Sequence, residues 1–153
     1  MGKLLRQRAE ELKLYARHLA WLHATPKPPE GSKRAAVKAK PISRLDRYRA
    51  DKIEPPMPPC TLPSLIERWI EVGMIQGGGM APTALLWSEI AGFQTATGLP
   101  LSTWEARTIH AMSVAYVGEG RRAEDEACPP PWNPGVTQRE RDTEEQRLRA
   151  LLG

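Results

Sequence analysis

The chain is poor in the residues that carry most protein chemistry. Its 153 residues include two cysteines, three histidines and one phenylalanine. Cys60 and Cys128 lie far apart, each beside prolines. No Cys-x-x-Cys, His-x-x-x-His or His-Glu-x-x-His spacing exists, so no metal site is expected. One disulfide would satisfy the cysteine pair, and nothing demands it. A nucleophile needs a positioned base, which leaves only His18, His23 and His110. The first two are five apart, well off one face of a helix. His110, between Ile109 and Ala111, suits a structural or solvent-facing role. The expectation is a protein without catalytic residues or a cofactor.

Long apolar runs are also missing. Arg6, Arg8, Glu10, Glu11 and Lys13 interrupt every N-terminal stretch that might serve as a secretory signal. No run approaches the roughly 20 apolar residues that span a bilayer. No membrane partner is expected, and the default reading is a soluble cytoplasmic protein with reduced thiols. Lysine is absent after Lys52, and this asymmetry divides the chain. Residues 1–59 hold 14 Lys/Arg against 6 Asp/Glu, net +8; residues 60–153 hold 8 against 12, net −4. The overall +4 therefore hides two opposite halves. A nucleic acid, an acidic protein surface, or nothing beyond solvent would each suit the basic end. Any DNA binding is expected to be weak and nonspecific, through Lys33, Arg34, Lys38 and Lys40. The run Glu124-Asp125-Glu126 reads as a solvated acidic patch.

What is present is helical periodicity. Lys3 to Ala24 lacks glycine and proline. Leu5, Leu12 and Leu19 recur at seven-residue intervals beside Tyr15 and Leu22, making one apolar stripe. Such a helix must dock on the core, on a copy of itself or on a partner. Eight of the fifteen prolines fall between Thr25 and Pro59, which reads as an extended basic linker. A short helix over Ile42–Ala50 is compatible with its Leu45 and Tyr48.

Compact structure is expected from Leu62. Leu62, Leu65, Ile66, Trp69 and Ile70 mark a helix ending near Gly73. Gly77-Gly78-Gly79 and Pro82 then mark a mobile loop. It is not a phosphate loop, because Met80-Ala81-Pro82 follows and no strand precedes it. A second helix runs from about Trp87 to Thr97, with Ile90, Phe93 and Gln94 on one side and Gly98 as its C-terminal glycine. Ser102-Thr103-Trp104-Glu105 has the form of a capping box opening a third helix, which Gly118 and Gly120 are expected to stop. Its packed face is read as Trp104, Thr108, Ala111, Met112 and Ala115. A second capping box, Thr137-Gln138-Arg139-Glu140, opens a charged C-terminal helix ending in Leu148, Leu151 and Leu152.

These elements predict an all-α protein. An N-terminal amphipathic helix (1–25) and a basic Pro-rich linker (26–59) precede a small three-helix core domain (60–132), which a charged C-terminal helix (133–153) follows. Trp69, Trp87 and Trp104 are expected in the core, with Phe93 and Tyr116 as further core or interface aromatics. Trp132, beside three prolines, either caps the core or meets a partner.

Two binding readings follow. The helices on either side of Thr97-Gly98-Leu99-Pro100-Leu101-Ser102 have the outline of a helix-turn-helix. Against it stand the bulky Gln94 four before the glycine, the Trp104-Glu105 start of the would-be recognition helix, and the acidic character of this half.

The other reading comes from resemblance. The quoted residues are Leu62-Pro63-Ser64-Leu65-Ile66-Glu67-Arg68-Trp69-Ile70-Glu71-Val72-Gly73, Gly79-Met80, Trp87-Ser88-Glu89-Ile90, the block from Thr97-Gly98-Leu99 to Trp104-Glu105-Ala106-Arg107, Ser113-Val114-Ala115-Tyr116 and Cys128-Pro129-Pro130-Pro131-Trp132. Together they resemble a family of bacteriophage tail assembly chaperones of long-tailed phages and prophages. The likeness covers roughly residues 59 to 132 and is most specific in the Thr97–Arg107 block. It implies binding to the tape measure protein and recruitment of the major tail tube protein in the host bacterial cytoplasm, with absence from the mature virion. It also implies no catalysis. The alternative is a structural virion protein of the tail or neck. Leu5, Leu12, Leu19 and Trp132 are the expected protein-binding residues, and self-association of the N-terminal helix stays open.

Overall fold

The computed structural model describes residues 2–36, 40–135 and 138–153, the side chains of 138–140 excepted. Six helices follow one another among the described residues: α1 (Lys3–His23), α2 (Arg44–Ala50), α3 (Pro63–Val72), α4 (Trp87–Thr97), α5 (Thr103–Arg122) and α6 (Gln138–Leu152). Among the described residues the only ladder-like pairings are two isolated bridges, Lys27 with Asp125 and Gln76 with Thr83. The protein is all-α, as its periodicities predict.

Local chemistry sets the helix ends. Ser102 Oγ accepts from the Glu105 amide at 3.1 Å, and Glu105 returns the bond to the Ser102 amide at 3.0 Å. This reciprocal cap starts α5 where the sequence places it. Gly73 and Gly98 close α3 and α4 with left-handed backbone, φ +116° and +67°. The Thr137 capping box lies outside the described residues.

The core is not confined to residues 60–132. Leu12 and Ala16 of α1 belong to one buried cluster with Leu65, Ile66, Trp69, Leu85, Ile90, Ile109 and Met112. The most extensive helix pair is α1 with α5, 21 and 20 residues long, and α3 and α4 pack against α5 as smaller elements. The N-terminal stripe is thus spent within the chain. Leu12 is fully buried, and Leu19 packs against the cluster.

Packing also overrides two glycine signals. α5 continues through Gly118 and Gly120 to Arg122. Glycine costs a helix interior about 1 kcal/mol, and tertiary contacts in this segment offset that cost. Val117 is buried, as is Glu119, whose carboxylate meets Arg17 of α1 at 3.5 Å and the Arg122 guanidinium one turn on. The buried residues of α5 include Thr108, Ile109, Met112, Ser113 and Val117, rather than a single face through Ala111 and Ala115. A helix packed against α1, α3 and α4 together buries more than one stripe.

The proline-rich linker is tied down. The Pro56 carbonyl meets His18 Nε2 at 2.9 Å, Pro58 is buried, and Thr61 donates from its amide and hydroxyl to Glu11 at 3.2 and 2.7 Å. Residues 56–61 therefore run along α1 toward its N-terminus, in the extended form prolines favour. The Gly77–Gly79 loop has a closed neck: Gln76 and Thr83 exchange backbone bonds of 2.9 and 3.2 Å. Met80 stands fully exposed near its tip. The described side chains of α6 are exposed throughout, Leu151 and Leu152 most of all among its leucines.

Candidate protein-binding groove

The last carbonyls of a helix lack intrahelical partners and need donors. At the C-terminal ends of α1 and α5 one side chain serves both. Arg44, the first residue of α2, donates through Nη1 to the Trp21 carbonyl at 3.1 Å and the Ala123 carbonyl at 2.7 Å. Through Nη2 it donates to the Asp125 carbonyl at 3.0 Å. Its guanidinium carbon lies 4.6 Å from the centre of the Trp21 ring, a cation–π contact. Burial lowers the Arg44 pKa from its ordinary value, yet an arginine stays charged there. The positive charge also complements the negative helix ends. Trp21 in turn donates from Nε1 to the Cys128 carbonyl at 2.9 Å.

Around this clamp the basic and acidic halves of the sequence meet. The Lys27 amide donates to the Glu124 carbonyl at 2.8 Å, and Lys27 Nζ reaches the Glu124 carboxylate at 3.2 Å. Arg34 forms a two-pronged pair with Glu126 at 2.7 and 3.3 Å. The expected solvated acidic patch is instead the docking strip for the linker. Both pairs are exposed, so they guide the linker's path more than they stabilise it.

Between the linker, α2 and the segment after α5 lies an open groove of about 1100 Å³. Trp21, Ile42, Tyr48 and Ile53 give it an apolar lining, and Pro26, Pro28 and Pro41 stiffen its walls. Lys40 and Arg47 also line it and form no ion pair among the described residues. Of the four basic residues named for DNA contact, Arg34 is paired and Lys38 lies outside the described residues.

A second surface surrounds Trp87. This residue is 52% exposed and stacks on His110 with ring centres 4.3 Å apart and planes 13° from parallel. Leu86 and Val114 are exposed as well. Trp87 is therefore not the core tryptophan its position suggested: it is the first residue of α4, and the buried side chain of that helix is Ile90.

The other named residues divide clearly. Trp69 is fully buried, donates from Nε1 to the Met74 carbonyl at 3.0 Å and meets Tyr116 edge-on at 5.6 Å. Trp104 and Tyr116 are partly buried against the cluster, and the Tyr116 hydroxyl lies 2.6 Å from His23 Nδ1. Phe93 is half-buried outside that cluster. Leu5 is half-buried, and Leu12 is inaccessible as a contact. Trp132 folds back: it meets His18 edge-on at 5.8 Å, while His18 stacks on Trp21. Cys60 and Cys128 are free thiols. Among the described residues no His/Cys/Asp/Glu group could hold a metal ion, and no helix is long and apolar enough to cross a membrane.

No protein-family model, curated protein or solved structure matches this chain. Sequence reasoning missed Arg44 altogether. One arginine among three in a seven-residue helix carries no mark of its role, and only the position of the helix ends around it supplies that role.

Proposed function

We propose that this chain is a phage tail assembly chaperone, a protein-binding factor that engages the tape measure protein and helps recruit tail tube subunits. In this reading it acts in the host cytoplasm, performs no catalysis and leaves before the virion is complete. The observation that carries the reading is the exposed Trp87–His110 stack. Trp87 belongs to a block that resembles the chaperone family, yet it contributes little to the core. A tryptophan left half in water beside Leu86 and Val114 suits a reversible contact, since tryptophan dominates interface hot spots. A helper that must dissociate requires a modest interface of this kind.

The helix-turn-helix reading has less support. α5 would be the recognition helix, but Ile109 and Met112 are buried, and Glu105 is held by its capping bonds. Arg107 is the only cation in its first two turns.

Affinity capture of the tagged chain from infected cells tests the proposal. The tape measure protein should be retrieved, and mass spectrometry of purified virions should not find the chain. A fixed copy number in virions would replace the transient helper with a structural tail or neck protein.

A further inference from the structure

We propose that the groove beside Arg44 receives a short acidic peptide segment, with apolar side chains, from a partner protein. Charge is the first argument. Arg44 is consumed by three carbonyls, and Lys27 and Arg34 by carboxylates. Lys40 and Arg47 remain as unpaired cations among the described residues, in a groove that Ile42, Tyr48 and Ile53 also line. An anionic ligand with apolar side chains satisfies both features at once.

The same groove is poorly built for nucleic acid. A phosphate backbone needs a run of cations along its path, whereas the groove's cations outside the Arg44 clamp and the ion pairs are Lys40 and Arg47, with the Asp51 carboxylate also in its lining. Two cations suffice for a short peptide with one or two carboxylates. Trp21 cannot offer a free stacking face on the side the Arg44 guanidinium covers, which leaves Tyr48 as the one open aromatic platform. The walls are also held in place before any ligand arrives. The Arg44 clamp ties α2 to the ends of α1 and α5, which lowers the ordering cost of binding. This inference is independent of the tail-assembly reading, because it names a ligand chemistry and a different surface.

The test is fluorescence anisotropy on the full-length chain with a fluorescein-labelled peptide in which glutamates flank a leucine pair. Saturable binding that weakens with added salt is expected. Lys40→Glu combined with Arg47→Glu should weaken it roughly tenfold or more, and Tyr48→Ala should weaken it severalfold. Arg107→Glu combined with Arg121→Glu makes the same change in net charge elsewhere and should leave binding within about twofold. All variants are compared by circular dichroism and melting temperature, and those that melt like the parent are scored. Absence of saturable binding overturns the proposal. So does an equal loss in the Arg107/Arg121 control, which would make the effect one of total charge. Tighter binding of a labelled oligothymidine than of the peptide would also overturn it, in favour of nucleic acid.

Discussion

Arg44 Nη1 lies 2.7 Å from the carbonyl of Ala123, so a residue of the linker closes the C-terminal end of α5. The same guanidinium holds the end of α1. Arg44→Ala would leave the Trp21, Ala123 and Asp125 carbonyls short of a donor and remove the cover from the Trp21 ring. The expected loss is about 2–4 kcal/mol, read from chemical denaturation. Arg44→Lys should recover only part of it, because an ammonium lacks the planar fork that spans three carbonyls. Full recovery by lysine would show that charge alone matters at this site.

Leu12 tests whether α1 is a core element. Its side chain is wholly enclosed, so Leu12→Ala should cost about 2–5 kcal/mol. Deleting residues 1–24 should abolish cooperative thermal unfolding, because α5 would lose its principal partner. A cooperative transition in the truncated chain would restore residues 60–132 as a self-sufficient domain.

His18 makes stability depend on pH. The Pro56 carbonyl can only accept, so the proton sits on Nε2. Nδ1 is buried without a hydrogen-bond partner among the described residues. Burial lowers the His18 pKa from 6.5, against a smaller opposing effect of the Pro56 bond. The unfolded chain therefore binds the proton more readily than the folded one. The neutral-His18 contribution is fully present above about pH 6.5 and is lost as pH falls toward the lower folded value. His23 is shifted in the same direction, first by burial and then by Arg49. Melting temperature should drop as pH falls below about 6.5, and His18→Gln should flatten that slope. An unchanged slope would remove His18 as its source.

Gly118 and Gly120 lie inside α5, and a Cβ at either position would meet nothing within 4 Å. Gly118→Ala should therefore stabilise the protein by about 0.5–1 kcal/mol, seen as a higher melting temperature. Destabilisation would mean that the glycine serves something other than the helix. Gly98→Ala should act in the opposite direction, since its φ of +67° suits glycine.

These cases also show how far the sequence alone could be read. Helix positions and the Gly98 and Ser102–Glu105 boundaries follow from short-range rules: periodicity, a left-handed glycine and a reciprocal cap within one turn. The docking of α1 does not, because an apolar stripe through Leu5, Leu12 and Leu19 is the same whether it meets α5, a second copy or a partner. Gly118 and Gly120 misled because stop signals are weak beside the burial of Val117 and Glu119. Trp87 misled because composition says that a tryptophan is apolar, not which side of a short helix it occupies. The groove was least legible. It is made by residues from 21 to 127, brought together only when Arg44 joins two helix ends.

Trp87 offers the most direct test of the proposed function. As the first residue of α4, it can be replaced by aspartate at little cost, because a helix N-terminus favours a carboxylate. Trp87→Asp should leave stability within about 1 kcal/mol of the parent. The measurement is the soluble fraction of the phage's own tape measure protein on co-expression. The parent chain should raise it and Trp87→Asp should lose most of that rise while melting like the parent; no rise with the parent chain would contradict the account.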